Sequence, residues 1–256
     1  MAVTEISVSR TQREGYLFKW TTQSKGFAYA RDAEAGSGHS TNKDMGVGTF
    51  WKTTTSPPRV YVYRTFIQFS VPSGLSTSGK SAVLKLYGRT STYADTAPNG
   101  FAAGFITEPV TVPDIQVFAC DSIPNMVAGK RYIYSSFTST AYSPQITGIS
   151  ADGGWVEITL NSAALAAIDT AAGGDFDLCI REYAHDVGNS DPGASSGVTY
   201  FWQFASMKAT GLAPRIIVAD AGFNHNLLGI TKSSISKVNS VSMASPQEIE
   251  RINDIQ

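Results

Sequence analysis

The sequence predicts an all-β protein that folds as a β-sandwich or jelly roll, and three observations lead to this prediction. About ten short, β-rich apolar runs follow one another closely, with Gly, Pro, Ser and Asn between them. Only 16% of the residues are charged, and Ser, Thr, Gly and Tyr are plentiful, which suits strands joined by turns. Only one helix is predicted among these runs, so the pattern is not the strand–helix repetition of a parallel sheet.

The clearest alternation of apolar residues lies in residues 61–71 and 82–87. Successive side chains of a strand point to opposite sheet faces, so each run is predicted to be a strand with a core-facing side. The core-facing residues are Tyr63, Thr65, Ile67, Phe69 and Val71 in the first run, and Ala82, Leu84 and Leu86 in the second. Pro, Gly and Ser fill residues 72–81, which predicts a hairpin or a neighbouring strand pair.

The other elements follow from the same reading of the chain. Further strands are predicted at residues 16–20, 27–32, 45–51, 105–112, 115–119, 132–134, 155–160, 176–183, 198–205 and 215–219. Two glycines weaken the run 45–51, which indicates a bulge or an edge strand. One helix is predicted over residues 163–171, because Asn161 or Ser162 can cap its N-terminus and Gly173 follows its end.

The composition predicts three regions: a lead-in or docking segment at 1–24, a sandwich domain at 25–222 and an attachment segment at 223–256. In the last region residues 245–248 form a capping box, which predicts a short helix from Pro246 to about residue 253. An apolar stripe on so short a segment must be covered by the sandwich or by another protein. The residues predicted to make this assembly contact are Leu228, Ile230, Ile235, Val238, Val241, Ile249 and Ile252.

The charge and the absence of targeting patterns limit which partners and which cell compartment are expected. The net charge of -1 and the pI of about 6.3 give no basic field to attract nucleic acid or anionic lipid. No apolar run reaches the length of a membrane span, and the first residues lack a secretory signal pattern. Only Cys120 and Cys179 are present, so a disulfide framework is not expected. The protein is expected to be made and kept in a cytoplasm, or to be released from one by lysis.

No catalytic motif stands out, and the protein is predicted not to be an enzyme. The three histidines fall in predicted loops and lack metal-ligand spacing, and no nucleophile elbow or phosphate-binding loop occurs. The candidates for hydrolysis are carboxylates, namely Asp175, Asp177, Glu182, Asp186 and Asp191. A glycosidase needs two acids facing each other across a sugar. Asp175 and Asp177 share a strand face, but a solvated sheet face explains them more simply.

Two kinds of binding site remain open from the sequence. Asp186 and Asp191 offer oxygen ligands to a structural calcium ion, although their spacing is not that of a defined calcium loop and a hydrogen-bonded turn explains them more simply. Tyr93 and Trp202 are aromatic residues that could stack on a glycan, although core packing is the more common use of such side chains. No other cofactor is expected.

Five stretches in order resemble a known family: residues 64–71, 81–87, 155–168, 176–180 and 214–218. They resemble the DNRLRE-type domains, jelly-roll β-sandwiches allied to carbohydrate-binding modules, which occur in secreted or surface proteins that act on polysaccharides and in some phage structural proteins. The resemblance covers about residues 27–220 and implies the same sandwich. Ser70 stands where the family commonly has Asp, and residues 204–208 lack the family's Glu. No binding residue is therefore carried over.

The attachment segment resembles a different group of proteins. Residues 229–241, GITKSSISKVNSV, are similar to short segments near the C-termini of virion proteins of tailed phages. Together the two resemblances imply a structural protein of a bacteriophage virion, as a capsid decoration or a tail-associated protein. Its partners would be other virion proteins and copies of itself. The alternative is a carbohydrate-binding or host-adhesion module.

Overall fold

The computed structural model describes residues 3–9, 14–40, 44–53, 55–89, 110–121, 123, 134–150, 153–193 and 199–220. The strands are β1 Val3–Ser7, β2 Glu14–Thr22, β3 Gly38–Ser40, β4 Asp44–Lys52, β5 Arg59–Ser70, β6 Lys80–Gly88, β7 Val110–Thr111, β8 Ile115–Cys120, β9 Phe137–Ala141, β10 Gly154–Thr159, β11 Asp175–Glu182, β12 Thr199–Ala205 and β13 Arg215–Asp220. The helices are α1 Gly26–Arg31 and α2 Ser162–Thr170, with a 3-10 turn at Gln23–Lys25 and a π-helical turn at Tyr183–Val187. The predicted all-β sandwich is confirmed.

The strands form two layers. In the first layer the order is β1-β13-β6, and β10 also pairs with β6. In the second layer the order is β12-β4-β5-β11-β8-β9, and β2 pairs with β5 and β3. The pairing of Phe204 with Gly88 joins β12 to β6, so the hydrogen-bonded sheet passes from one layer to the other at this point.

The main core lies between the two layers. Leu84 and Ile216 of the first layer pack with Ile67 and Leu178 of the second, and Ile168 of α2 joins the same cluster. All five side chains are fully buried. Burial of a side chain of this size stabilises the fold by roughly 1.5–3 kcal/mol.

Strand β5 is buried on both faces and has neighbours on both edges. It pairs with β2 along most of its length, with β4 near its start and with β11 near its end. Strand β6 pairs instead with β10 and β12. The strands predicted at 61–71 and 82–87 are thus confirmed, but the predicted hairpin is wrong. Both strands place alternate apolar residues in the shared core from opposite layers, so the segment 71–79 connects the layers.

Residues 27–32 were expected to be a strand, but the structure forms helix α1 there. Phe27 and Ala30 are buried three residues apart, whereas Tyr29 between them is exposed, which is the periodicity of a helix. Phe27 and Ala30 pack with Leu17 against the side of the second layer that faces away from the main core. Helix α1 therefore covers part of that outer side.

The described residues 3–9 and 14–22 belong to the sandwich and are not a separate lead-in. Strand β1 pairs with β13, and β2 pairs with β5, so both are integral to the layers. Strand β4, expected to be an edge or bulge, lies between β5 and β12. Gly48 permits this position, because a Cβ there would overlap the carbonyl oxygen of Tyr200 on β12.

Helix α2 agrees with its prediction. The side-chain oxygen of Asn161 accepts the N–H of Ala164 at 3.1 Å and caps the helix. Residues 90–109 and 221–256 lie outside the described residues, and with them most of the strand expected at 105–112 and the C-terminal helix. No helix in the described ranges is long and apolar enough to cross a membrane.

Candidate functional site

A buried ion cluster joins β5, β11 and the π-helical turn. The two carboxylate oxygens of Asp186 accept the Nε and Nη2 groups of Arg64 at 2.8 and 2.6 Å. Arg181 donates through the same two nitrogens at 3.0 and 2.9 Å. Arg64 also donates to the carbonyl oxygens of Tyr134 and Arg31, at 3.0 and 2.6 Å. Forked, charge-assisted bonds of this kind fix geometry strongly, so the cluster holds the turn in place.

Glu182 is the second buried acid of this region. Its carboxylate accepts the backbone N–H groups of residues 184–186 at 2.8, 2.8 and 3.0 Å, and the Thr49 hydroxyl lies 3.3 Å away. Burial raises the pKa of Glu182 by more than these donors lower it. Burial also acts to raise the pKa of Asp186, but the two guanidinium groups outweigh it and hold this pKa well below its ordinary range.

The calcium site expected at Asp186 and Asp191 does not fit this geometry. Both oxygens of Asp186 are already bound by two cations, which would repel a metal ion. Asp191 accepts the indole N–H of Trp51 at 3.0 Å and the N–H of Gly193 at 2.9 Å. Within the described ranges, no group of three or more His, Cys, Asp or Glu residues is placed to hold a metal. The hydrogen-bonded turn is the account that the contacts favour.

The glycan contact expected at Trp202 is also not where the structure places that side chain. Trp202 is 1% exposed and packs in the main core against Phe204, with ring centroids 4.8 Å apart. A buried ring offers no face to a sugar. Tyr93 lies outside the described residues. So do the residues expected to make the assembly contact, namely Leu228, Ile230, Ile235, Val238, Val241, Ile249 and Ile252.

The first layer presents a sheet face that turns away from the core, here called the outer face. None of its side chains is fully buried, whereas most of the residues that alternate with them are, namely Ile6 of β1, Ile216 and Val218 of β13, Ala82, Leu84 and Leu86 of β6, and Ile158 of β10. The outer face consists of Val3, Glu5 and Ser7 of β1, Arg215, Ile217 and Ala219 of β13, Val83, Lys85 and Tyr87 of β6, and Trp155, Glu157 and Thr159 of β10. It combines apolar and charged side chains on the outward side of four strands.

Trp155 is the centre of the aromatic part of the outer face. Tyr87 is its cross-strand neighbour and meets it edge-on, with ring centroids 5.3 Å apart. The guanidinium carbon of Arg215 lies 4.3 Å from the Trp155 ring centroid, and the Lys85 ammonium lies 5.6 Å from it. Lys85 also pairs with Glu157 at 2.7 Å. This group combines an apolar ring with hydrogen-bond donors and acceptors, the combination that polar ligands with an apolar side require.

Sequence reasoning missed this group, although a signal for it is present. In the run 155–160, Ile158 faces the core, and strand periodicity then turns Trp155 outward. An aromatic residue on the solvent side of a strand is a signal for a binding surface, because packing of the core does not require an aromatic side chain there. The sequence predicts the strand correctly but gives no priority to its outward side chains.

Comparison with known proteins adds little to this geometry. No protein-family model matches the chain, and no curated protein matches it, so the DNRLRE-type and phage-like resemblances rest on the sequence alone. Among solved structures, the chain is similar to the K1 cleaved adhesin domain of Lys-gingipain from Porphyromonas gingivalis W83, with 10% identity and a TM-score of 0.27. The alignment covers 87% of this chain and 100% of the adhesin domain. At that TM-score the likeness supports no conclusion about fold or function.

Proposed function

We propose that this protein is a non-enzymatic binding module that contacts carbohydrate through its outer face, as a carbohydrate-binding or host-adhesion domain does. The observation that carries the proposal is the group around Trp155. An indole ring can stack on the C–H face of a sugar, while Arg215, Lys85 and Glu157 can exchange hydrogen bonds with hydroxyl groups. Because the outer face spans four strands, an extended oligosaccharide could lie across several of them.

The arrangement of acids supports binding more than hydrolysis. The two outer-face glutamates are engaged with cations, Glu157 with Lys85 at 2.7 Å and Glu5 with Arg215 at 3.9 Å. Glycoside hydrolysis instead needs one acid free to donate a proton and a second to act as base or nucleophile. Asp177, named as a candidate from the sequence, accepts the N–H of Ile123 at 3.1 Å. These contacts suit structural roles.

The test is a glycan-binding screen with matched variants. The wild-type chain should bind one class of glycan, and Trp155→Ala and Tyr87→Ala should each weaken that binding. Tyr29→Ala is the control, because Tyr29 is an exposed aromatic residue, 49% accessible, that lies on α1 and not on the outer face. Its substitution should leave both binding and the thermal unfolding temperature unchanged. Equal binding by wild type and Trp155→Ala would contradict the assignment, as would the absence of any bound glycan.

A second candidate is a structural protein of a bacteriophage virion, favoured by the phage-like residues 229–241 and the apolar pattern of residues 223–256. In this case the segment attaches the sandwich to other virion proteins or to copies of itself, and the protein resides in the particle. Deletion of residues 223–256 should abolish incorporation into particles while the sandwich stays folded. Normal incorporation of the truncated chain would exclude the attachment role. The two candidates are compatible if the particle also contacts host glycans.

A further inference from the structure

Tyr29 on α1 is the most exposed aromatic side chain in the described part of the chain, with 49% of its surface accessible. Its orientation is fixed by the helix that carries it. Phe27 and Ala30 anchor α1 on the outer side of the second layer, which leaves Tyr29 on the solvent side. An exposed, rigidly held tyrosine is the kind of residue that dominates the energetics of protein interfaces.

Two lysines flank the Tyr29 ring. The ammonium group of Lys25 lies 4.7 Å from the ring centroid, and that of Lys19 lies 5.6 Å from it. Lys25 ends the 3-10 turn, and Gly26, at φ 75°, redirects the chain into α1, so Lys25 stands four residues before Tyr29. Lys19 comes from β2, the strand on which α1 packs.

These lysines carry positive charge that their surroundings leave uncompensated. Neither forms an ion pair in the part of the chain that the structure describes. Asp32, the acid nearest to Lys25 in the sequence, is paired with Arg31, whose Nε and Nη2 lie 2.6 and 2.7 Å from its two oxygens. Two ammonium groups beside one ring repel each other, and an incoming carboxylate group would relieve that repulsion. The protein as a whole has a net charge of -1, so this positive patch is a local feature.

We propose that Tyr29, Lys19 and Lys25 form a docking site for an acidic segment of a partner protein. The tyrosine inserts into the partner's surface, and the two lysines pair with its carboxylates. A protein suits this site better than a small ligand, because Tyr29 is exposed on the solvent side of α1, whereas small ligands bind in concave pockets. The site lies on the second layer and the outer face on the first, so a partner here leaves the proposed glycan surface accessible. This inference does not depend on the proposed function.

The probe is a fluorescent peptide of alternating glutamate and leucine, with the glutamine counterpart as the neutral control, titrated into the full chain by anisotropy. The acidic peptide should bind at low salt and weaken as salt is added. The double variant K19Q/K25Q should lose about tenfold in affinity, the sum of two exposed ion pairs. Tyr29→Ala should lose a comparable factor. Lys80→Gln is the control, because it removes one positive charge from β6, where no ion pair of Lys80 is described. It should leave the affinity for the acidic peptide unchanged.

Each other outcome overturns the proposal. Absence of acidic-peptide binding, or equal binding of the neutral peptide, removes the charge complementarity on which it rests. Equal weakening by Lys80→Gln shows a general charge effect, and full affinity of Tyr29→Ala removes the anchor. Tighter binding of an oligogalacturonate, lost in K19Q/K25Q, assigns the site to an acidic glycan instead. Trp155→Ala changes the outer face of the other layer and should leave peptide binding intact, so the two surfaces are tested separately.

Discussion

Glu14 gives the sharpest prediction of pH-dependent stability. Its side chain is 1% exposed at the start of β2, and its Oε1 accepts the N–H of Met207 at 2.7 Å. Its Oε2 has no hydrogen-bond partner in the described part of the structure. Burial raises the pKa of Glu14 from its ordinary value of 4.5 to about 7, against the opposing effects of the Met207 N–H, Ser206 and Lys208.

The sign of the effect follows from which state binds the proton. Below pH 4.5 the Glu14 carboxyl is protonated in the folded and the unfolded chain, so it costs nothing. Between pH 4.5 and about 7 the unfolded chain loses this proton while the folded chain keeps it, so stability falls as pH rises. Each unit of pKa difference corresponds to about 1.4 kcal/mol. Above pH 7 ionisation of Glu14 therefore lowers the free energy of unfolding by about 3 kcal/mol.

Glu14→Gln isolates this contribution. Glutamine is neutral at every pH and still offers an oxygen to the Met207 N–H. The free energies of unfolding of both proteins should be measured by urea titration across a series of pH values. The difference between them cancels the contributions of Glu182 and Asp186. It should shift in favour of the variant by about 3 kcal/mol from acidic to mildly alkaline pH. A pH-independent difference would refute the reasoning, and Glu34→Gln, at an exposed position, should leave the profile unchanged.

Three further substitutions test the described contacts by chemical denaturation and circular dichroism. Asp186→Ala leaves two guanidinium groups without their carboxylate and should lower the free energy of unfolding by about 3–5 kcal/mol. Asp32→Asn breaks a surface ion pair, in which the Asp32 side chain is 58% exposed, and should lower it by no more than about 1 kcal/mol. Equal losses in the two variants would contradict the importance of burial. Asn161→Ala removes the cap of α2 and should cost about 1 kcal/mol, whereas an unchanged midpoint would show that the cap is dispensable. Gly48→Ala forces a Cβ into the backbone of β12 and should abolish the circular dichroism signal of the folded sheet. Gly174→Ala is the control and should fold, because its Cβ would meet its nearest atom at 3.5 Å. A folded Gly48→Ala would show that β4 and β12 can move apart.

The sequence predicts strands well where one face is buried and the other is not. In β6 and β10 the alternation is strict, and the structure places the alternate apolar residues in the core. Alternation identifies the core-facing side but not the neighbouring strand. The connection 72–81 looks like a turn in the sequence, yet Ile67 of β5 and Leu84 of β6 approach the core from opposite layers. Partner choice depends on contacts between distant residues, which a local pattern does not contain.

Helix α1 and the ion cluster show two other limits of the sequence. Phe27, Tyr29 and Ala30 fit either period in a run of six residues, and packing of α1 on the second layer decides in favour of the helix. Arg64 and Asp186 are 122 residues apart, so nothing local indicates that they meet. The acidic loop therefore leaves calcium open for Asp186 beside a hydrogen-bonded turn, because the local sequence does not reveal the two arginines that bind this carboxylate.

The outer side of the second layer is covered and that of the first layer is not, and strand β5 explains this difference. Because β5 is apolar on both faces, the second layer must be covered on its outer side as well, and Phe27 of α1 supplies part of that cover. This cover also encloses Arg64, whose charge then requires Asp186 within the same shell. The first layer has no such need, because its outward positions carry charged pairs such as Lys85 with Glu157. A ligand that must reach a sheet directly can therefore do so on the first layer, whereas a partner approaching the second layer meets α1 and Tyr29 first.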